Sequence, residues 1–321
     1  MSLLLMIRRK TKMNNLGEEY GFLLTDENYY SREADIHFMS CSQFQAFEKC
    51  EAAEIAKLRG VWNPEEISDA LFQGQYFHSY FESPEAFKKF CDEGFDKIFK
   101  TKTTKAKGFE IVGKYAPFER LDEMIQVIQN DPVISKILAW PGENEKPMVG
   151  LVGGIPWRMK MDKYCADTRR IIDYKTSANL HELYYNVKTK ERQTFIEEYG
   201  YMMRAAVYGE IERQTRKSED FPSFIIIGVS KQDPPDKDVI LLDDPTRWEY
   251  ELEVVKSKIP HIQMLKEGVE NPRRCGKCEY CRATKEIKRI KSYTDLMPEY
   301  WNDPDNVEYD DYGGSSVFDT L

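Results

Sequence analysis

The sequence lacks any run of apolar residues long enough to cross a membrane. Its apolar stretch at residues 3–7 precedes the basic residues 8–10, whereas a secretory signal carries its positive charge first. It also lacks the even-numbered, evenly spread cysteines of a secreted disulfide framework, because there are seven and three of them fall within residues 275–281. We therefore expect a reduced, cytoplasmic protein without a membrane partner.

An excess of positive charge is lacking as well. The chain has 46 Lys and Arg against 55 Asp and Glu, a formal net charge of -9, so its surface as a whole is not a nucleic-acid footprint. Basic residues nevertheless cluster at 97–107, 188–192 and 285–291. Each cluster alone is explained by a solvated loop or helix face, but together they are compatible with a DNA-facing surface.

No internal repeat is present, and the apolar pattern predicts helices before and after a central group of strands. Helices are expected at 40–59, 63–82, 84–99, 118–130, 194–215 and 246–267, strands at 147–152, 155–164, 170–175, 224–229 and 239–242, and a lysine-rich loop at 100–108. This pattern predicts an α/β fold with a central mixed β-sheet flanked by helices. We expect a polar N-terminal extension at 1–36, one domain at 37–292 and a flexible acidic tail at 293–321.

The most informative segment is a pair of strands joined by a polar turn. If the turn is centred at 167–168, Asp162 lies directly opposite Asp173, and Lys160 lies opposite Lys175. Two opposed carboxylates repel each other unless a cation neutralises them, and a lysine on the face of Asp173 suits phosphate or water activation. The segment therefore outlines a metal-dependent phosphodiesterase site, although solvated charges at a strand end would give the same short pattern.

Two predicted helices carry further candidate residues. Gly74, His78 and Glu82 are spaced by four residues, so one helix face presents all three, and the glycine would allow close approach to the backbone. Taken alone, His78 is better explained as a half-buried residue of an aromatic-rich helix. Arg204 and Tyr208 have the same spacing on the helix that follows the strands.

In this order, the elements resemble the PD-(D/E)xK nuclease superfamily, and more narrowly the branch that contains RecB-type nuclease domains and the RecE-type exodeoxyribonuclease VIII of phages and prophages. The resemblance implies a restriction-endonuclease-like core with a helical N-terminal part and a C-terminal cysteine-bearing segment. It implies His78, Asp162 and Asp173 as ligands of Mg²⁺ or Mn²⁺, together with the backbone carbonyl of Tyr174. Lys175 would orient or activate the attacking water.

The resemblance also assigns roles to residues around these ligands. Glu82 would support them without binding the metal. The branch usually carries a Gln-x-x-x-Tyr element that contacts DNA or braces the site, and here Arg204 stands in the glutamine position while Tyr208 matches. Both are therefore DNA-contact candidates, since an arginine can bind phosphate. A core aromatic residue is the alternative explanation of Tyr208.

A second candidate site lies among the cysteines. Cys275, Cys278 and Cys281 form a compact thiolate cluster that suits zinc or an iron–sulfur centre but is one ligand short. Segment 39–50 resembles the N-terminal helix of RecB-like nucleases with a 4Fe-4S cluster, in which one early cysteine joins three near the C-terminus. This implies Cys50 as the fourth ligand. The last two cysteines are closer here than in those relatives, so Zn²⁺ and three free thiols stay open as alternatives.

The leading hypothesis is a metal-dependent DNA exonuclease that hydrolyses phosphodiester bonds of linear duplex DNA. The resemblance implies phage-type recombination with a single-strand annealing protein as partner, and we also expect a homo-oligomer. The alternative is a non-catalytic DNA-binding or interaction protein on a degenerate nuclease fold, organised by a cysteine metal site. An interaction protein whose acidic tail docks a partner is a third hypothesis. The presence of Asp162, Asp173 and Lys175 favours the enzyme.

Overall fold

The computed structural model describes residues 16–63, 68–104, 108–186, 189–287, 290 and 292–293. The chain divides into two compact units, Met1–Arg274 and Cys275–Leu321. The predictions for residues 1–15 and for the tail from residue 294 lie outside the described residues, as do parts of all three basic clusters. Within the described ranges, no helix combines the length and the apolar character needed to span a bilayer.

Nine strands are found in the described residues of the first unit. They are β1 (Phe99–Thr104), β2 (Gly108–Lys114), β3 (Glu143–Val152), β4 (Ile155–Cys165), β5 (Arg170–Ser177), β6 (Tyr184–Asn186), β7 (Glu191–Gln193), β8 (Ser223–Ser230) and β9 (Lys237–Leu242). Five of them form the central sheet in the order β3-β4-β5-β8-β9, while β1-β2 and β6-β7 are separate two-stranded hairpins. Strands β5 and β8 are parallel and the other neighbours in the central sheet are antiparallel.

The α-helices of the described residues are α1 (Arg32–His37), α2 (Cys41–Lys49), α3 (Glu51–Leu58), α4 (Asp69–Glu82), α5 (Pro84–Glu93), α6 (Phe95–Ile98), α7 (Ala116–Asn130), α8 (Pro132–Leu138), α9 (Phe195–Glu198), α10 (Tyr201–Arg216), α11 (Pro245–Glu267) and, in the second unit, α12 (Glu279–Ala283). Helices α2, α3, α10 and α11 share one apolar core with the central sheet, and α4, α7 and α8 share another. Successive residues of β5 alternate between the two cores, since Ile171 belongs to the first and Ile172 to the second. The predicted α/β fold with a central mixed sheet is confirmed.

The register between β4 and β5 is the predicted one, but the ladder is short. It contains three residue pairs and ends at Lys163. Beyond that point the strands separate, and Oδ2 of Asp162 accepts the backbone N–H of Tyr174 at 2.7 Å. The expected pairing of Lys160 with Lys175 is therefore wrong, because the strands have parted before they reach it.

Three predicted helices are each divided into two. The helix expected at 84–99 ends at Glu93, and after Gly94 a separate short helix, α6, covers only Phe95–Ile98. The helix expected at 40–59 is interrupted at Cys50, whose extended backbone (φ -165°) ends α2 and precedes α3. The helix expected at 194–215 is interrupted at Gly200, which has a left-handed φ of 66°. A Cβ at Gly200 would lie 2.5 Å from Nε2 of Gln45, but that atom ends a flexible side chain, so the left-handed backbone is what favours glycine here.

The basic segment at 100–108 was expected to be a loop, and this prediction is wrong for its described part. Residues Phe99–Thr104 form β1, in which threonines alternate with Lys100 and Lys102. β-branched threonines favour strands, and this preference outweighed the charge pattern. The helix start expected at 63–66 falls largely outside the described residues. Helix α4 is described from Asp69, with the Ser68 hydroxyl accepting the N–H of Leu71.

The described part of the predicted N-terminal extension packs against the rest of the first unit. Leu24 and Phe38 are fully buried, and they form a small apolar cluster with Val149 of β3. Asp35 pairs with Arg158 of β4 at 2.6 Å, and only 4% of the Arg158 side chain is exposed. The residues before position 37 therefore contribute to the packing of the strand that carries Asp162. The domain boundaries themselves stay a prediction.

A buried carboxylate on α10 holds the turn between β4 and β5. Glu212 has no exposed surface. Its Oε1 accepts hydrogen bonds from the Tyr164 hydroxyl at 2.6 Å and from Arg169 Nε at 3.1 Å, and its Oε2 accepts one from Arg169 Nη2 at 2.6 Å. Because Tyr164 is the second-to-last residue of β4 and Arg169 precedes β5, this carboxylate ties the ends of both strands to one helix.

Candidate functional site

The centre of the candidate site is the place where β4 and β5 separate. Asp162 lies there on β4, and its Oδ2 is 3.2 Å from Nδ1 of His78 on α4. Burial alone would raise the pKa of Asp162, but His78, Lys175 and the hydrogen bond from the Tyr174 N–H hold that pKa well below its ordinary value. Conversely, burial lowers the pKa of His78 and the Asp162 carboxylate raises it, with a net increase. The two side chains are therefore electrostatically coupled.

Asp173 and Lys175 lie on β5 beside this pair. Asp173 is buried, with 3% of its surface exposed. The ammonium group of Lys175 lies 2.5 Å from Asp173 Oδ2 and donates to the carbonyl oxygen of Tyr174 at 3.1 Å. The Tyr174 side chain points to the other face, where it stacks on Phe81 with the ring centroids 4.7 Å apart. Period-2 alternation thus places both charged side chains of β5 on the side of the candidate site.

Arg204 and Tyr208 of α10 lie next to these strands. The Tyr208 hydroxyl donates to the carbonyl oxygen of Lys160 at 3.3 Å, which ties α10 to β4. Burial lowers the pKa of Arg204, but Tyr208 and Asp173 raise it more, so the guanidinium stays charged. Its Nε is shielded from solvent and has no hydrogen-bond partner among the described residues. A buried cationic donor that lacks a partner suits an anionic ligand.

The face of α4 that carries His78 is open. A Cβ added at Gly74 would meet no described atom within 4 Å. No described residue therefore makes the close approach to the helix backbone that this glycine would allow. At the end of this face, burial raises the pKa of Glu82, while Lys160 partly offsets that rise. The Glu82 carbonyl accepts a hydrogen bond from the Asn144 side chain at 2.9 Å, which fixes the helix end against β3.

Sequence reasoning missed Glu145, which lies across from Asp162 on β3. The β3–β4 ladder is interrupted at Glu145, and the pairs before and after the interruption have the same register. Glu145 and Asp162 therefore lie opposite each other although they are not a hydrogen-bonded pair of the ladder. Glu145 has a positive φ of 50°. Burial and the charge of Asp162 raise the pKa of Glu145 to about 7. The residue was overlooked because β3 was expected to begin only at residue 147.

Two tyrosines were also missed, because they belong to the predicted polar extension. The Lys160 ammonium lies 4.6 Å from the ring centroid of Tyr29 and 4.9 Å from that of Tyr30. It also lies 3.9 Å from Oε2 of Glu145. This aromatic and acidic environment keeps a lysine next to the candidate site. Nothing in the local sequence pattern signals these contacts of Lys160, since they join residues about 130 positions apart.

The donor set at this centre fits a small divalent cation. Asp162 and Asp173 supply carboxylate oxygens, the Tyr174 carbonyl is on the same strand, and His78 supplies one imidazole nitrogen. Hard oxygen ligands suit Mg²⁺, and a single imidazole also suits Mn²⁺. The structure brings these predicted residues together around the separated strands, while their role as ligands stays a prediction.

Three of the predicted cysteine ligands lie close together in the second unit. Within the second unit, Sγ of Cys275 lies 4.0 Å from Sγ of Cys281 and accepts the backbone N–H of Cys278 at 3.3 Å. Sγ of Cys278 accepts the N–H of Cys281 at 3.4 Å. The Sγ atoms of Cys275, Cys278 and Cys281 all lie within 4.8 Å of one another. Thiolates are ligands of structural zinc and of iron–sulfur centres, and Cys50 as the fourth ligand stays a prediction.

A hydrogen-bonded network surrounds the residue that follows Cys50. Glu51 accepts the backbone N–H of Arg273 at 2.8 Å and pairs with the Arg273 guanidinium at the same distance. His261 lies between two carboxylates, with Nε2 3.0 Å from Glu51 and Nδ1 2.6 Å from Glu270. This network holds the chain immediately before Cys275 against the start of α3.

Comparisons with known proteins agree with this geometry. Residues 40–284 match the family described as "PDDEXK-like domain of unknown function (DUF3799)". The crystal structure of a protein described as "Putative exonuclease" from Eubacterium rectale is 31% identical, with a TM-score of 0.75, and the match covers 86% of this chain and 99% of that one. The structure of SSO0001 is 14% identical over 54% of this chain and 79% of that chain, with a TM-score of 0.29, too low to support an argument. No curated protein matches.

The family match spans the strands, the helix that carries His78 and the cysteines. It confirms the resemblance to the PD-(D/E)xK nuclease superfamily that the order of the motifs suggested. By this match and by its identity to the Eubacterium rectale protein, the chain belongs to the family of PDDEXK-like domains.

Proposed function

We propose that this protein is a metal-dependent deoxyribonuclease that acts as an exonuclease on linear duplex DNA. The observation that carries the proposal is the grouping of His78, Asp162, Asp173 and Lys175 where β4 and β5 separate. Membership of a PDDEXK-like family supports a nuclease-type function, and the description of the Eubacterium rectale relative supports an exonuclease.

The proposed site divides the chemistry among its residues. A divalent cation held by His78, Asp162, Asp173 and the Tyr174 carbonyl would neutralise phosphate charge and lower the pKa of a bound water. Lys175, held by Asp173, orients the attacking water. Arg204 presents its charged guanidinium to a phosphate oxygen, and the open face over Gly74 admits the nucleic acid.

We propose a separate, structural role for the cysteine group. Cys275, Cys278 and Cys281, with Cys50 as the fourth ligand that the resemblance implies, would bind Zn²⁺ or a 4Fe-4S cluster and so stabilise the fold. Elemental analysis and a visible absorbance band in anaerobically purified protein distinguish the two. Cys278→Ser is expected to lose the bound metal, whereas Cys91→Ser, which alters a thiol outside the group, retains it. Equal metal content in both variants would refute this role.

The biological setting is proposed from the resemblance to the RecE-type branch. It comprises a cytoplasmic location, phage-type recombination, a homo-oligomeric state, and a single-strand annealing protein as partner. DNA is the partner that the family membership supports most directly. Co-purification of the full chain with a single-strand annealing protein tests the recombination setting, and a monomeric mass in solution would contradict the oligomer.

The nuclease proposal is tested with end-labelled linear duplex and a closed circular duplex, each incubated with Mg²⁺ or Mn²⁺. The linear substrate is expected to be degraded from its ends and the circle to remain intact. Asp173→Ala should lower the rate at least about a thousandfold, because metal-ligand loss costs several kcal/mol of transition-state stabilisation. Asp167→Ala changes an exposed carboxylate in the turn between the same strands and serves as the matched control.

The outcomes separate the two classes of function. Binding of DNA without cleavage by the wild type would favour the non-catalytic DNA-binding module. Equal degradation by wild type and Asp173→Ala would refute the proposed active site, and degradation of the circle would indicate an endonuclease.

A further inference from the structure

The hairpin formed by β1 and β2 exposes apolar residues that the rest of the described protein covers only in part, since Phe109 contacts Phe95. It is separate from the central sheet. The exposed fraction is 63% for Phe109, 52% for Ile111 and 55% for Val112. A lone two-stranded hairpin is marginally stable in water, and exposed apolar strand residues usually mark a contact with a partner.

The two faces of the hairpin differ in character. Residues that are directly opposite in an antiparallel pair share a face. Phe109 pairs with Thr103 and Ile111 with Thr101, so one face is apolar. Lys102 pairs with Glu110 on the other face, which is charged at this level, and a register shift between Lys100 and Thr101 leaves Val112 unpaired. The hairpin is therefore amphipathic but solvent-exposed on both sides.

Charge indicates which partner this hairpin suits. Residues 96–110 contain five lysines and two acidic residues, a local excess of positive charge in a chain whose net charge is -9. Of these lysines, Lys97, Lys100 and Lys102 lie in the described residues. Lys100 contacts Glu119 only loosely, at 3.9 Å, and its ammonium is 5.8 Å from the ring of Tyr115. A local positive surface on an acidic protein is complementary to a polyanion, whereas a second copy would bring like charges together.

The base of the hairpin is attached to the helix that carries His78. Lys114, the last residue of β2, donates to the Tyr76 hydroxyl at 2.8 Å and pairs with Asp122 at 2.6 Å. Tyr76 and His78 are separated by about 3 Å along the axis of α4. The six residues of β1 extend about 20 Å at roughly 3.3 Å each. That length corresponds to about six base-pair steps of DNA.

We propose that the β1–β2 hairpin is an arm that binds the end of the duplex DNA substrate. Lys100 and Lys102 contact phosphates, and Phe109 and Ile111 pack against the bases exposed at the terminus. Aromatic side chains stack on any base, so this contact recognises an end without reading sequence. The proposal rests on the function proposed above, because it assigns a substrate contact to the same nuclease.

The test uses the full chain with Asp173→Ala, so that DNA is bound but not degraded. Affinity is measured by fluorescence anisotropy for a blunt duplex and for the same duplex closed by loops at both ends. Lys100→Ala/Lys102→Ala is expected to weaken both complexes about tenfold and to reduce the slope of log affinity against log salt by about two. Phe109→Ser/Ile111→Ser is expected to weaken only the blunt complex, by about tenfold.

Two controls test whether a loss of affinity is specific to the hairpin and whether each variant is folded. Lys88→Ala/Lys89→Ala removes two exposed lysines of α5 that pair with acidic residues of their own helix, and it should change neither the affinity nor the slope. Thermal denaturation verifies that each variant is folded. Wild-type protein that neither binds nor cleaves DNA refutes the proposed function itself. Cleavage by the wild type together with unchanged binding by both hairpin variants overturns only the arm, and a changed oligomeric state would then identify a protein interface instead.

Discussion

Arg204 provides a sharp test of the proposed site, because its expected effects on activity and on stability differ. Arg204→Gln restores the residue type that the superfamily branch usually has at this position. The change keeps a hydrogen-bonding group and removes the positive charge. If Arg204 binds substrate phosphate, the variant should lose activity while the fold keeps its stability.

The magnitude of each effect follows from the environment of the side chain. A hydrogen bond to a charged group contributes about 1.5–3 kcal/mol. Its loss should therefore lower kcat/KM about 10- to 150-fold, since 1.4 kcal/mol corresponds to a factor of ten. The Arg204 Nε is shielded from solvent without a hydrogen-bond partner in the described structure, so the guanidinium is an incompletely paired buried charge. Because this Nε makes no hydrogen bond there, replacing the side chain removes mainly its cation contact with the Tyr208 ring and should lower the free energy of unfolding by about 1 kcal/mol.

The assay combines initial rates on end-labelled duplex with urea denaturation. Arg216→Gln is the matched control, because Arg216 is exposed near the end of the same helix, about 18 Å from Arg204 along the axis. It should be indistinguishable from the wild type in both measurements. An Arg204→Gln variant with kcat/KM within about twofold of the control would refute the phosphate contact. A loss of several kcal/mol in stability would instead identify Arg204 as a structural residue.

Two further predictions concern stability. Glu212→Ala should lower the free energy of unfolding, measured by urea denaturation, by about 3 kcal/mol, because it leaves a buried tyrosine hydroxyl and an arginine without this partner. The control is Glu253→Ala, which breaks an exposed ion pair on α11. A loss no larger than that of the control would contradict the prediction. Hydrogen bonding to Glu51 raises the pKa of His261, with Glu270 contributing. The stability contributed by this histidine is therefore complete below its ordinary pKa of about 6.5 and is lost as pH rises through the raised value. His261→Gln should make stability less dependent on pH above about 6.5, and an unchanged pH profile would exclude the contribution.

The local pattern was sufficient for much of the central sheet. The polar turn at 166–169 and the alternating flanks predicted the register of β4 and β5, because hairpin register follows from the turn and from which face is apolar. The same reasoning placed Asp173 and Lys175 on one face. It could not show that the ladder ends at Lys163, since strand separation depends on the side chain of Asp162 bonding to the backbone of β5.

Local patterns failed where backbone conformation or distant contacts decided the outcome. Cys50 and Gly200 interrupt apolar stretches that read as continuous helices, and lysines that suggested a loop lie in β1. Glu145 was missed because its importance arises from its position opposite Asp162, not from its neighbours in the chain. Periodicity reports which face of an element is buried, but not which element packs against it.

The sequence by itself determined the elements of the central sheet, the pairing of the two carboxylate-bearing strands, and the membership of the nuclease superfamily that these motifs suggest. Only the tertiary structure decided what surrounds the carboxylates. It brought His78 within 3.2 Å of Asp162, left the Nε of Arg204 without a described partner, and set the β1–β2 hairpin on the helix of His78. The physical reason is that alternation and helical spacing are local properties of the chain, whereas contacts between distant residues depend on how the completed elements pack.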